Sequence, residues 1–184
     1  MNRSDEWLYQ EYRARRDSEC LRVLLERHRE SLTLFLLGYV QNREDAEELM
    51  LDAFAAAASG TARFDGRSSF RTWLFAIGRN LALKAVRKRR IRTVPLEEAM
   101  DAEEAEAEFT VLAEERRRLL YEALSRLPAD YRQVLYLLYF EEATADEAAR
   151  IMNKTRKQIY NLTARGKAEL RKHLEGMGFG DETG

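Results

Sequence analysis

Two prolines, Pro95 and Pro128, are all that punctuate 184 residues. Proline removes a backbone donor and collides with the preceding helical turn, so its near absence leaves long stretches free to wind as helix. Nine glycines and abundant Ala, Leu, Glu and Arg, side chains that lose little rotamer freedom in a helix, favour the same outcome. The chain is therefore expected to be all-α, and its 45% hydrophobic content suffices for real cores in one large or two small domains. Its most apolar windows, LTLFLLGYV and VLYLLYF, are far shorter than the ~20 residues that cross a bilayer, so no membrane insertion is expected. Cys20 stands alone and cannot form an internal disulfide, and MNRSDEWLYQEY lacks the apolar run of a signal peptide. The cytoplasm is the expected compartment.

The formal net charge is −1, but the charges are segregated, and partners respond to local fields. Residues 41–58 carry five acids against Arg43. Residues 61–92 then hold ten cations against Asp65 alone, interleaved with Phe64, Phe70 and Trp73. From Pro95 to Glu115 there are nine acids, no base and few apolar residues, which reads as a solvated linker. Residues 150–173 return to eight cations against Glu169. Two domains with basic segments thus flank an acidic connector.

In the first, Leu21, Leu24, Leu25, Leu32, Phe35, Leu36, Tyr39 and Val40 recur at helical spacing, and NREDAEELMLDAF restarts a helix with Asn42 as its N-cap. A further helix is expected from Ser68 or Ser69, with Phe70, Trp73, Leu74, Ile77, Leu81 and Val86 on or near one face and cations on the other. In the second, a helix over Leu119–Leu127 stops at Pro128, YRQVLYLLYF forms another, and two shorter helices follow.

Those last two helices fit a helix-turn-helix at several independent positions. Thr144 with Glu147 and Thr155 with Gln158 form two capping boxes, each satisfying donors at a helix start. Asn153 lies between them, where the chain must reverse and a left-handed residue is wanted. Ala148 and Ala149 permit close approach, and Ile151, Met152, Ile159 and Leu162 supply a small core. Arg156, Lys157, Gln158 and Asn161 remain at the exposed start of the second helix, where such side chains can reach base edges in a major groove.

With NREDAEELMLDAF, RFDGRSSFRTWLFAIGRNLALKAVRKRR, ALSRLPADYRQVLYLLYFEEATADEAARIM and the closing helix in this order, the chain resembles bacterial RNA polymerase sigma factors of the extracytoplasmic-function (ECF) type, in the sigma-70 family. The resemblance spans roughly 21–174. It implies an N-terminal extension over 1–20, a sigma region 2 bundle over 21–93, an acidic linker over 94–115, a sigma region 4 helix-turn-helix over 116–175 and a tail over 176–184. It also implies a non-catalytic initiation subunit that binds core polymerase and directs promoter-specific transcription.

By the same resemblance Asp45, Glu48, Leu49, Asp52 and Phe54 contact the polymerase clamp. The minus-ten element falls to Phe64, Arg67, Ser68, Ser69, Arg71, Trp73, Arg79, Asn80, Lys84 and Arg87, and the minus-thirty-five element to Lys154, Thr155, Arg156, Lys157, Gln158, Asn161 and Arg165. The residue types suit these tasks, since cations track phosphates and aromatics stack on unpaired bases. At helical spacing with Leu74 and Ile77, however, Phe70 and Trp73 fit a core better than a stacking platform. The expected partners are core polymerase, promoter DNA with duplex upstream and single-stranded at minus ten, and an anti-sigma factor. Two departures from the family stand out: AAAASG follows LMLDAF where bulky aromatics are common, and the recognition helix reads QIYNLTARG with less arginine than many relatives.

No enzyme signature competes. His28 and His173 are far apart in sequence, no Cys/His cluster or Gly-rich phosphate loop occurs, and no catalytic residue, metal or cofactor is expected. The alternative is a polymerase-independent helix-turn-helix regulator, which would bind a duplex operator on its own.

Overall fold

The computed structural model describes residues 3–92 and 111–178, and every regular element in them is helical. The first bundle comprises α1 (Asp5–Arg15), α2 (Ser18–Val40), α3 (Arg43–Ser59) and α4 (Phe70–Arg92). A side-chain oxygen starts each helix by accepting from a backbone N–H of the first turn: Ser4 from Trp7, Asp17 from Glu19, Asn42 from Asp45 and Ser69 from Thr72. Left-handed residues Arg16, Gln41 and Gly60 end the first three. From the stripe read in the sequence, Leu24, Leu32, Phe35 and Leu36 of α2 and Phe70 and Leu74 of α4 are fully buried, and Phe75 joins them.

Residues 3–20 belong to this bundle. Leu8 and Tyr9 of α1 are buried, and the alanine-rich end of α3 offers its carbonyls to this helix: Tyr9 donates to Ala57 O at 2.9 Å, Tyr12 to Ala58 O at 3.3 Å and Arg16 to Ala58 O at 3.2 Å. Glu6 accepts the Phe70 N–H at 2.9 Å, placing an acid at the start of α4 where the helix dipole favours one. The Ala57 and Ala58 carbonyls thus face the tyrosine hydroxyls of α1.

The second bundle comprises α5 (Val111–Ser125), α6 (Ala129–Leu135), a π-helical turn (Tyr136–Phe140), α7 (Ala145–Met152) and α8 (Arg156–Gly176). Of the acidic linker expected over 94–115, residues 94–110 lie outside the described residues and Val111 already opens α5. The single helix expected through Phe140 widens at Tyr136, where Glu141 N–H bonds to Tyr136 O at 3.1 Å. That turn stacks Tyr136 on Phe140, centroids 5.7 Å apart, and brings Tyr136 Oη to the Glu141 carboxylate at 2.8 Å. Both capping boxes of the helix-turn-helix are formed, and Asn153 between them has φ 51°.

The two bundles are packed together, α7 along α4 and α6 against α2. Among the described residues no helix is long and apolar enough to cross a membrane.

Candidate nucleic-acid interface

Three surfaces carry the residues singled out in the sequence. On α3, Glu48 and Asp52 are exposed, and half-buried Asp45 pairs with Arg89 of α4 at 3.1 Å. Leu49 and Phe54 are buried in the first bundle, because they share the inward face with Ala46, Met50, Ala53 and Ala57. The apolar group α3 does present is Leu51, 53% exposed beside Asp52 and one turn from Glu47 and Glu48. A leucine among acids on the outer face of an amphipathic helix was the available signal.

The loop before α4 carries the second surface. Gly66 takes φ 73°, the Asp65 carboxylate accepts the Arg67 N–H at 3.0 Å, and the Arg67 side chain projects into solvent with its Nε 3.4 Å from Asp65. Ser68 is half-buried, and Ser69 is committed to capping α4, with its hydroxyl also bonded to Thr72 at 2.9 Å. Phe64, half-buried, closes an aromatic cluster with Tyr9, Phe70 and Trp73 at centroid distances of 5.7, 6.3 and 5.1 Å.

Along α4 the stripe Trp73, Ile77, Asn80, Lys84, Arg87 follows alternating steps of four and three residues and so shares one face. Asn80, Lys84 and Arg87 on it are exposed, and Trp73 and Ile77 are half-buried. Arg79 points the other way, is buried, and donates from Nε to Tyr39 Oη at 3.1 Å. Burial also lifts the Tyr39 phenol to about 12, so it stays neutral as the acceptor. Arg71 reaches the second bundle, donating to Glu141 O at 2.5 Å with the Glu141 carboxylate 3.4 Å away.

Sequence reasoning missed the contribution of α1 here. A cavity of about 690 Å³ lies between α1 and this loop, lined in part by Tyr9, Gln10, Arg13, Arg63, Phe64 and Gly66. The signal was the run Tyr9, Tyr12, Arg13, Arg16, aromatics and cations at helical spacing on one face.

The third surface is the start of α8. Thr155 and Gln158 hold each other in the capping box, Thr155 Oγ1 accepting from Gln158 N at 3.2 Å and Gln158 Oε1 from Thr155 N at 2.8 Å. Lys154 is tied to Asp130 at 3.0 Å. Arg156, Lys157, Asn161 and Arg165 are exposed, together with Tyr160, which is 54% exposed and was not singled out. The Arg156 guanidinium donates to Tyr160 Oη at 3.2 Å and faces Asp146, which hold its pKa above the ordinary value. This face combines fixed cations, an amide and an aromatic edge, the groups that bond phosphates and base edges in a duplex groove.

Comparison with known proteins agrees with both halves. Residues 24–92 match Sigma-70 region 2 and residues 117–170 match Sigma-70, region 4. The chain is 30% identical over 164 residues to the RNA polymerase sigma factor NccH of Alcaligenes xylosoxydans xylosoxydans, covering 85% of this chain and 88% of that one. It is 26% identical over 165 residues to the ECF RNA polymerase sigma factor SigX of Bacillus subtilis, covering 85% and 84%. Its fold resembles that of CnrH solved with the cytosolic domain of CnrY (TM-score 0.69, 22% identity, 94% of this chain and 97% of that one). It also resembles RpoE of Bartonella quintana solved with the anti-sigma factor NepR (TM-score 0.71, 23% identity, 84% and 96%). A region 2 bundle and a region 4 helix-turn-helix in one short chain leave one conclusion: this protein belongs to the sigma-70 family, as a sigma factor of the ECF type.

Proposed function

We propose that this ECF sigma factor directs transcription initiation by dividing three contacts among its three surfaces. The acidic face of α3, with Leu51 at its centre beside Glu48 and Asp52, takes a basic helical element of core polymerase. The loop over 61–69 and the exposed stripe Asn80, Lys84 and Arg87 take the opened strand at minus ten. Arg156, Lys157, Tyr160, Asn161 and Arg165 of α8 take the duplex at minus thirty-five. The observation that carries this reading is the doubly capped helix-turn-helix, which fixes the start of α8 while leaving its cations and Tyr160 exposed.

The physical demands of each contact agree. An opened strand presents phosphates and unpaired bases, and each stacked base contributes roughly 1–3 kcal/mol. The loop offers the exposed Arg63 and Arg67 and the half-buried Phe64 ring. Two modest DNA contacts on one chain reinforce each other through effective concentration once polymerase sets their spacing. An anti-sigma factor, the kind of protein solved with RpoE of Bartonella quintana, is the proposed inhibitory partner.

Pull-down of bacterial core polymerase with the purified chain, followed by run-off transcription on fragmented DNA of the same source, tests the reading. Stable core binding with new specific transcripts is expected. Tight binding to a duplex operator without any core binding would replace it with an autonomous regulator.

A further inference from the structure

Only one side of α1 is engaged by the bundle. Glu6 accepts the Phe70 N–H at 2.9 Å, Tyr9 donates to Ala57 O at 2.9 Å, Arg16 to Ala58 O at 3.2 Å, and Arg27 of α2 to Arg3 O at 2.8 Å. These bonds, with the buried Leu8 and Tyr9, fix the helix at both ends. They use none of Trp7, Gln10, Arg13 and Ala14, which are all exposed. Trp7, Gln10 and Ala14 follow steps of three and four residues and so share the outer face, with Arg13 at its edge.

That face continues the cavity between α1 and the loop. Gln10, Arg13 and Ala14 form its α1 wall, and Arg63, Phe64 and Gly66 come from the loop. Gly60, left-handed at φ 80°, makes room for one of these groups, since a β-carbon there would collide with Arg13 Nη1. The guanidinium is thereby seated over the turn that ends α3. Among the described residues neither Arg13 nor Arg63 has a carboxylate within ion-pair distance, and the acid in the lining, Asp65, faces Arg67 at 3.4 Å. Two uncompensated cations therefore border the same volume, which favours an anion.

One turn before Gln10 stands Trp7, 37% exposed, with the Arg3 guanidinium 4.0 Å from its ring centroid. An indole left in water on a helix whose packing does not use it is a stacking surface, and the guanidinium over it adds a planar cation. Trp7 and Arg13 are six residues apart, about 9 Å along the helix axis, so a base on one and a phosphate on the other belong to neighbouring nucleotides. An indole, an amide and a cation in one row repeat the composition of the stripe along α4, and the loop joins the two rows.

We propose that α1 is a second strand platform: nucleotides leaving the minus-ten loop pass the cavity, place a phosphate on Arg13 and stack a base on Trp7. This role deepens the reading of the loop as the minus-ten contact and rests on it. With the α4 stripe and α8 serving the upstream side, α1 is left the nucleotides downstream of the minus-ten element. Its ligand is an unpaired nucleotide with its phosphate, of any base.

The test uses polymerase holoenzyme and two fork-junction DNAs made from a promoter mapped by run-off transcription. Both are duplex through the minus-thirty-five element and single-stranded on the non-template strand from the minus-ten element. The short fork stops at the last base of that element, and the long fork continues to the start site. Fluorescence anisotropy over a salt series reads affinity. Trp7→Ala should weaken binding of the long fork about ten-fold, the effect of one stacked base, and change the short fork little. Trp7→Phe keeps a ring and should restore most of that loss. Arg13→Ala should lower the slope of log affinity against log salt by about 0.7 on the long fork alone, the mark of one single-strand phosphate.

Equal losses on both forks would place Trp7 and Arg13 in the fold or in core binding, and no loss on either would leave α1 a purely structural helix; both results overturn the proposal. So does a loss for Trp7→Phe as large as that for Trp7→Ala. The loop reading is judged apart. Arg67→Ala should weaken the short fork, and if it does not, that reading falls whatever the α1 variants do to the long one.

Discussion

Gln133 of α6 is pressed against Gly38 of α2 with both polar atoms of its amide buried and unpaired. Leaving a buried polar group unsatisfied costs about 1–3 kcal/mol, whereas an apolar side chain of the same length carries no such cost. Gln133→Met should therefore stabilise the fold by that order. For a chain of this size each kcal/mol raises Tm by about 2–4 °C, which calorimetry resolves. An unchanged or lower Tm would mean the amide finds partners in solution that the fold does not show.

Leu51 and its neighbours separate a contact role from a core role. Leu51→Lys alters an exposed position and should leave Tm within about a degree, since surface changes lie within ±0.5 kcal/mol. It should nevertheless weaken core polymerase binding by at least about five-fold, the effect of losing an interface anchor worth 1 kcal/mol or more. Phe54→Ala, by contrast, empties a buried site and should cost about 3–5 kcal/mol of stability. Equal losses of core binding by well-folded Leu51→Lys and Glu44→Lys would reduce the leucine to one charge site among several.

A similar contrast holds on α4. Arg79→Ala leaves Tyr39 without its buried donor and removes a packed stem, so the cost is in stability, about 2–3 kcal/mol for a charged bond. Asn80→Ala, one residue away and exposed, should leave the melt unchanged and reduce promoter opening, read by permanganate reactivity of unpaired thymines in the polymerase complex. Reversal of this pattern would put Arg79, and not Asn80, on the strand.

These contrasts show where the sequence was readable and where it was not. The caps at Asn42, Thr144 and Thr155 and the left-handed Asn153 were legible because they depend on neighbours within four residues. So was the core stripe from Leu24 to Leu74, which follows helical period. The burial of Arg79 was not legible because its destination is set by Tyr39, forty residues earlier, and a cation near a cationic face carries no local mark of burial. The burial of Leu49 and Phe54 was hidden for a related reason: α3 is covered on more than one side, by α1, α2 and α4, so its apolar positions are buried over a wider arc than one stripe. The role of α1 depends on carbonyls at the far end of α3, and the packing of the two bundles on contacts such as that of Gly38 with Arg132, 94 residues apart. Tertiary pairings of that separation leave no periodic trace.

Asp5 anchors α1 through its carboxylate, 2.7 Å from His28 Nε2 and 2.7 Å from Arg27 Nη1. The bond to His28, and with it Arg27, holds the Asp5 carboxyl below its ordinary 3.8 in spite of partial burial. A carboxyl lowered in the folded state stabilises the fold above its unfolded pKa and loses that contribution as pH falls through the folded value. Asp5→Asn should therefore melt lower than wild type at neutral pH, and the gap should persist down to about pH 5 and close progressively below about pH 4. A gap that widens on acidification would show that Asp5 acts through packing alone.

At the start of α8, Arg156 and Lys157 stand side by side, yet the structure gives them different constraints. Arg156 is held by Tyr160 and Asp146 in a fixed direction, the condition under which a guanidinium discriminates among base edges, whereas no such tether holds Lys157. Lys157→Ala should weaken holoenzyme binding to all promoters nearly uniformly and reduce the slope of log affinity against log salt by about 1, the signature of one lost phosphate contact. Arg156→Ala should cost about 1–3 kcal/mol at the preferred upstream sequence and much less at altered ones. Tyr160→Phe keeps the ring but frees the guanidinium, and should move discrimination part of the way toward Arg156→Ala while leaving the salt slope unchanged. Electrophoretic mobility shifts of the polymerase complex over a salt series, on wild-type and base-substituted upstream elements, measure all three. Identical salt slopes and identical base profiles for Arg156→Ala and Lys157→Ala would make the two residues equivalent phosphate contacts and leave base reading to Asn161 and Arg165.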